Sequence, residues 1–248
     1  MHRALRFVNP NPNVATEFCK NLAPKVRFAG ADLGVKRRVV GLLGGSFNPA
    51  HGGHRRISLF AIKALGLDEV WWLVSPGNPL KPAEGMAALE ARYASALRQA
   101  RGSRIRVTAI ERELGTRYTA RTLAKITRRF PTNRFVWLMG SDNLAQFHRW
   151  KNWRTIARTV PIAIIARPGY EGAALTGPAM TYLSRYRVPA KRLADATRLP
   201  ALALLRFDPD ERSASAIRAT DPDWAERYDG VCRTPLHDQV TRRPICRG

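Results

Sequence analysis

A chain of 248 residues with 45% hydrophobic content is long enough to bury a core of its own, as one domain with appendages or as two small ones. Its 42 lysines and arginines against 19 acids leave a formal charge of +23, which points to anionic partners such as nucleic acid, an acidic membrane surface or phosphorylated small molecules. Three widely separated cysteines, Cys19, Cys232 and Cys246, suggest neither a disulfide framework nor a CxxC metal site, and no apolar run approaches the roughly 20 residues that span a bilayer.

Residues 1–38 mix Asn, Pro and Lys without a period and lack the continuous apolar segment of a signal peptide. They read as a basic, loosely ordered leader, and the folded part is expected to begin at Val39. A cytoplasmic protein with no membrane partner is the simplest expectation. From Val39 onward, apolar runs of strand length fall at 39–44, 69–75, 104–110, 134–140, 161–167 and 201–207. Helical periodicity fills the intervals around 53–65, 87–101, 119–130 and 151–158. Strands apolar on both faces and separated by helices predict an α/β doubly wound parallel sheet with helices on both faces. Residues 168–200 read as a helix-containing insertion, and 220–248 as an irregular C-terminal tail.

In such a sheet, ligands bind at the carboxyl ends of the strands. The first of these ends carries "GGSFNPAHGGH", Gly44 to His54, which places two of the chain's five histidines in a glycine-rich loop. Gly44 and Gly45 allow close backbone approach, and the helix that follows aims free N–H groups and its positive dipole end at the same space. His51 and His54 add donors suited to phosphate oxygens. No GK[ST], GxGxxG or HExxH pattern is present, so the loop is neither a Walker A loop nor a recognisable zinc site, and no protein metal site is expected. Late in the chain, "RSASAIR" (212–218) allows Ser213 or Ser215 to cap a helix while Arg218, one turn in, offers a planar fork of donors to phosphate.

"GGSFNPAHGGH" resembles the GGTFDPxHxGH signature of the HxGH nucleotidyltransferases, and in particular of the bacterial nicotinate-nucleotide adenylyltransferases. "RSASAIR" is similar to that family's ISSTxIR motif, "TRYTARTL" (116–123) to its SYTxxTL segment and "GSDNLAQFHRWKNW" (140–153) to its G-[SA]-D-x-[LF] segment with a following tryptophan. "SPGNPLK" (75–81) matches its P-x-N-x-P-x-[KR] loop. The resemblance runs in order from about residue 39 to 219, about three quarters of the chain. Asn48, where many members have Asp, and Ala214, in place of one serine, depart from it. The second departure would cost one phosphate hydrogen bond, on the order of 1 kcal/mol.

The resemblance implies a Rossmann-like nucleotidylyl transferase fold over 39–219 and transfer of the adenylyl group of ATP to nicotinate mononucleotide, releasing pyrophosphate. It implies His51, His54 and Arg218 as the catalytic set. Gly44, Gly45, Ser46, Phe47, Ser213 and Ser215 would join them around ATP. Lys81, Tyr118, Thr119, Asp142 and Trp150 would serve the nicotinate nucleotide, with Mg²⁺ riding on the triphosphate. Two other readings remain. One keeps the chemistry with another acceptor, nicotinamide mononucleotide or phosphopantetheine. The other is a basic nucleic-acid-binding protein, for which no specific RNA- or DNA-binding pattern is found. A homo-oligomer is left open.

Overall fold

The six expected strands are present, parallel and sandwiched between helices. The computed structural model describes residues 37–77, 85–166, 175–207, 213–228 and 236–245. Within them lie β1 (Val39–Gly45), β2 (Glu69–Val74), β3 (Ile105–Thr108), β4 (Arg134–Gly140), β5 (Ile162–Ile165) and β6 (Leu202–Leu205). They pair in the order β3-β2-β1-β4-β5-β6.

Side chains alternate between the two faces of each strand, which explains why nearly every strand residue is apolar. Leu43, Trp72, Val107, Leu138 and Ile165 face one core. There they meet Ala61, Ile62 and Leu65 of α1 (Gly52–Leu65) and Tyr93 and Ala96 of α2 (Leu89–Ala100). Their chain neighbours Leu42, Trp71, Trp137 and Ile164 face the other. That core is completed by Leu123 and Ile126 of α4 (Thr119–Arg129) and Ile156 of α6 (Trp153–Thr159).

Shorter helices occupy the connections: α3 (Ile110–Glu113), α5 (Ser141–Gln146), α7 (Pro178–Leu183), α8 (Ala190–Leu193) and α9 (Ala214–Thr220). The strand expected over 104–110 is only Ile105–Thr108, because the Thr108 hydroxyl accepts from Ile110 N at 3.1 Å and starts α3. Helices α7 and α8 lie in the stretch expected to contain helices. At the end of α1, Gly66 adopts φ +67, a left-handed cap that a Cβ would strain.

The tail reaches back to the open edge of the sheet. Asp238 is 4% exposed, and its carboxylate accepts from the Thr108 hydroxyl (2.8 Å), Ala109 N (2.7 Å), Val240 N and Thr241 N (2.9 Å each). Gln239 Oε1 accepts from Val107 N at 2.8 Å, and the Tyr93 phenol donates to Val107 O at 2.9 Å. These contacts, together with a backbone bond from Gln239 N to Val107 O at 3.2 Å, cover the edge strand β3. Burial, reinforced by Asp238, pushes the Tyr93 phenol up.

The order of strands places the topological switch between β1 and β4. The loop carrying His51 and helix α5, which follows Gly140 directly, leave the sheet on either side of that switch, at its carboxyl end. No helix among the described residues is long and apolar enough to cross a membrane.

Candidate active site

The loop from β1 into α1 is held by aromatic packing. A Cβ on Gly44 would lie 2.7 Å from Trp137 Cη2, and one on Gly45 would lie 3.3 Å from Phe47 Cε2, so both glycines have a packing reason independent of any ligand. Phe47 takes the left-handed region at φ 49, which costs a residue with a Cβ about 1 kcal/mol. Its buried ring stacks on Trp72 at 5.0 Å and lies 4.8 Å from His54.

The two histidines cap α1 reciprocally. His51 Nδ1 accepts from Gly53 N and His54 Nδ1 accepts from His51 N, each at 3.2 Å. A ring nitrogen that accepts carries no proton, so each ring holds its proton on Nε2. The rings lie 3.9 Å apart, and His51 is 5% exposed. Behind them, Ser58 Oγ donates to His54 O and accepts from Trp72 Nε1, both at 2.8 Å, so that the helix, β2 and the loop share one network.

Asn48 joins three segments. Its Nδ2 donates to Gly85 O at 2.8 Å and its Oδ1 accepts from Ala87 N at 3.2 Å, while its backbone carbonyl accepts from Arg218 Nη1 at 2.7 Å. An ionised Asp could not donate to Gly85, which accounts for the amide at this position. Helix α9 begins as expected: Ser213 Oγ caps it by accepting from Ala216 N at 3.1 Å. Ser215 Oγ accepts from Arg218 Nη2 at 3.3 Å. Arg218 therefore meets the histidine loop from a position 170 residues along the chain.

On the other side, Tyr118 precedes α4 and Thr119 is its first residue. The Lys151 ammonium stands 4.9 Å from the Tyr118 ring centroid, a cation–π contact. Asp142 sits in the first turn of α5, directly after β4. Trp150 is half-buried and packs edge-on against Phe147 at 5.4 Å and Trp137 at 6.5 Å. Trp137 in turn fills the space over Gly44, so a line of aromatic contacts connects the segment after β4 with the loop after β1. Lys81 lies outside the described residues, as do the three cysteines.

Beside these loops, two buried ionisable groups, Arg92 and Glu111, are not marked by any motif in the sequence. Arg92 of α2 is 2% exposed and donates to Ser46 O (2.8 Å), Ser75 O (2.7 Å) and Ala87 O (2.8 Å). Burial lowers its guanidinium to about 10, against the opposing pull of Glu90. Its position three residues after Leu89 and four before Ala96, on an apolar helical stripe, is the signal that could have found it. Glu111 is 8% exposed and accepts from the Thr122 hydroxyl at 2.8 Å, tying α3 to α4. Burial pushes its carboxyl up, and that hydrogen bond pulls it down in part. In a four-residue helix, no periodicity could have marked it.

The model of the cytidylyltransferase-like family matches residues 42–220. A protein of Erythrobacter litoralis named "Probable nicotinate-nucleotide adenylyltransferase" is 64% identical over 207 residues, covering 83% of this chain and 93% of that protein. One of Cereibacter sphaeroides with the same name is 57% identical over 182 residues, 73% of this chain and 97% of that protein. Among solved structures, the nicotinic acid mononucleotide adenylyltransferase of Plasmodium falciparum shares the fold at a TM-score of 0.55 and 14% identity, covering 73% of this chain and 83% of that one.

Proposed function

This chain belongs to the cytidylyltransferase-like family, and we infer that it works as a nicotinate-nucleotide adenylyltransferase in NAD biosynthesis. It transfers the adenylyl group of ATP to nicotinate mononucleotide. An oxygen of the mononucleotide's 5′-phosphate attacks the α-phosphorus of ATP and forms a new P–O bond. The bond from that phosphorus to the β-phosphate's bridging oxygen breaks, and pyrophosphate leaves with the electron pair. The attacking phosphate is already ionised at neutral pH, so no general base is needed, and catalysis consists of holding two anions in line while neutralising charge on the leaving group.

The identity of the acceptor rests on the name of the relative that is 64% identical. Adenylyl transfer as the chemistry is supported by one observation above the others: Arg218 bonds Asn48 O in the loop whose His51 and His54 cap α1 through Nδ1, at the mouth of the sheet's switch point. In this reading His51 and His54 donate from Nε2 to the ATP phosphates, with Gly44, Gly45, Ser46 and Phe47 forming the floor. Arg218 and Ser215 serve the β- and γ-phosphates, and Ser213 holds the start of their helix. Tyr118, Thr119, Asp142 and Trp150 receive the nicotinate nucleotide, and Lys81 adds a cation over it.

Nucleotidyltransferases of this kind generally use a divalent metal, and we assign Mg²⁺ as part of the ATP substrate. Among the described residues no group of three or more His, Cys, Asp or Glu could hold a metal. The substrates, ATP and a free nucleotide, favour a cytoplasmic location. The core residues 39–219 carry the reaction in this reading, with 1–38 and 220–248 as appendages to it. Incubating the full chain with ATP, Mg²⁺ and nicotinate mononucleotide and weighing the products by mass spectrometry tests the assignment: nicotinate adenine dinucleotide supports it, and unchanged substrates reject it.

A further inference from the structure

Arg92 is the deepest cation beneath the proposed ATP loop, and its surroundings are unusual. Neither an ion pair nor any other carboxylate contact of its own is found among the described residues. Glu90, the acid that influences it, instead ion-pairs with Arg112 at 3.3 Å. A buried guanidinium without a counterion costs stability that three carbonyl contacts only partly offset.

The geometry shows what those contacts do. The ladder between β1 and β2 ends at the pair Gly45–Val74, followed by a last bond from Ser75 N to Gly45 O at 3.0 Å. The next two carbonyls, Ser46 O and Ser75 O, are both taken by the single nitrogen Nη1 of Arg92. One side chain thus continues the pairing of the two strands beyond the last rung of the sheet. Its Nε takes Ala87 O, and the same residue's N–H is held by Asn48 Oδ1, so Ala87 is gripped on both sides. Ser46 leads to the histidines, and Ala87 is tied through Asn48 to the carbonyl that Arg218 holds.

We propose that Arg92 is a positioning residue of the active site, a buried cation that holds the histidine loop and the loop after β2 in register and whose charge is balanced by substrate phosphates. It touches no reacting atom. Its fork sets the spacing between the histidine loop and the chain on either side of the loop after β2, and its charge, unpaired with any carboxylate among the described residues, raises the site's affinity for polyanions. This rests on the reading that ATP binds at the histidine loop.

Arg92→Lys and Arg92→Gln in the full chain separate the two effects. Lysine keeps the charge but cannot reproduce the fork; glutamine loses both. Each variant is followed by thermal melting, by calorimetric binding of a non-hydrolysable ATP analogue with Mg²⁺, and by steady-state kcat and KM for ATP and nicotinate mononucleotide. The lysine variant is expected to bind the analogue within about threefold of the parent while kcat falls by about tenfold or more, since small misalignments of reacting groups carry large rate losses. The glutamine variant is expected to lose about tenfold in analogue affinity as well. Should glutamine prevent folding, the split between binding and kcat in the lysine variant decides. Folded variants with parental kcat, KM and analogue affinity overturn the inference alone. A parent chain that fails to bind the analogue overturns the reading of the site, and the inference with it.

Discussion

His54 does two jobs with two nitrogens. Nδ1 closes the cap of α1 by accepting from His51 N, and the tautomer this fixes keeps the proton on Nε2 for the proposed phosphate contact. Replacing His54 by Ala removes both. The cap is worth about 1 kcal/mol, a modest loss of stability. The loss of a preorganised donor to developing charge should lower turnover by about a hundredfold or more. Circular dichroism and melting on one side and a pyrophosphate-release assay on the other distinguish the two, and near-parental turnover would reject the role given to this histidine. Glu111 makes a different prediction, in pH. Its folded value is raised above the ordinary 4.5, so the folded chain holds that proton more tightly than the unfolded one. Its contribution is therefore full below the ordinary value and is lost as pH rises through the raised one. Glu111→Gln keeps an oxygen for Thr122 without the charge. Urea midpoints at about pH 5 and about pH 8 should show the parent losing ground to the variant at the higher pH; a gap unchanged between the two would contradict the assignment.

Elements show most clearly where sequence reading succeeds and where it stops. Helix α1 was legible because its apolar period, its loop and its two histidines coincide, and α9 because Ser213 stands where a cap must. Arg92 is marked in the sequence only by its place on the apolar stripe of α2, a weak signal because an arginine inside a helical pattern ordinarily faces solvent. The segment 236–245 gave no signal at all. Its hold on β3 rests on the Asp238 carboxylate, the Gln239 side chain and backbone, and the phenol of distant Tyr93, and neither period nor motif encodes such an arrangement. Asp238 is the centre of that hold. Asp238→Ala leaves the Thr108 hydroxyl and three backbone N–H groups without their acceptor, and about 3 kcal/mol of stability should be lost. A chemical-denaturation curve with an unchanged midpoint would show instead that the edge of β3 does not depend on this segment.

At the scale of the molecule, the alternation of apolar runs and helical periods was enough for a doubly wound sheet, and the strand order β3-β2-β1-β4-β5-β6 turns that architecture into a location for chemistry. The charge of +23 was the weakest guide. Two polyanionic substrates account for a positive site, and among the described residues other cations pair with acids: Arg38 and Arg106 on Glu69 at 3.0 and 2.7 Å, Arg129 on Glu113 at 2.6 Å, and Arg134 on Asp195 at 3.0 Å. Recognition of the acceptor is the least legible part, because the Tyr118–Thr119 loop and Trp150, in the role proposed for them, favour an aromatic nucleotide without distinguishing an acid from an amide. The direct test measures pyrophosphate release by the full chain with ATP and Mg²⁺, offering nicotinate mononucleotide, nicotinamide mononucleotide and phosphopantetheine side by side. Adenylyl transfer to nicotinate mononucleotide predicts the fastest release with that acceptor and little with the others. Equal or faster release with either alternative, or none with nicotinate mononucleotide, would contradict it.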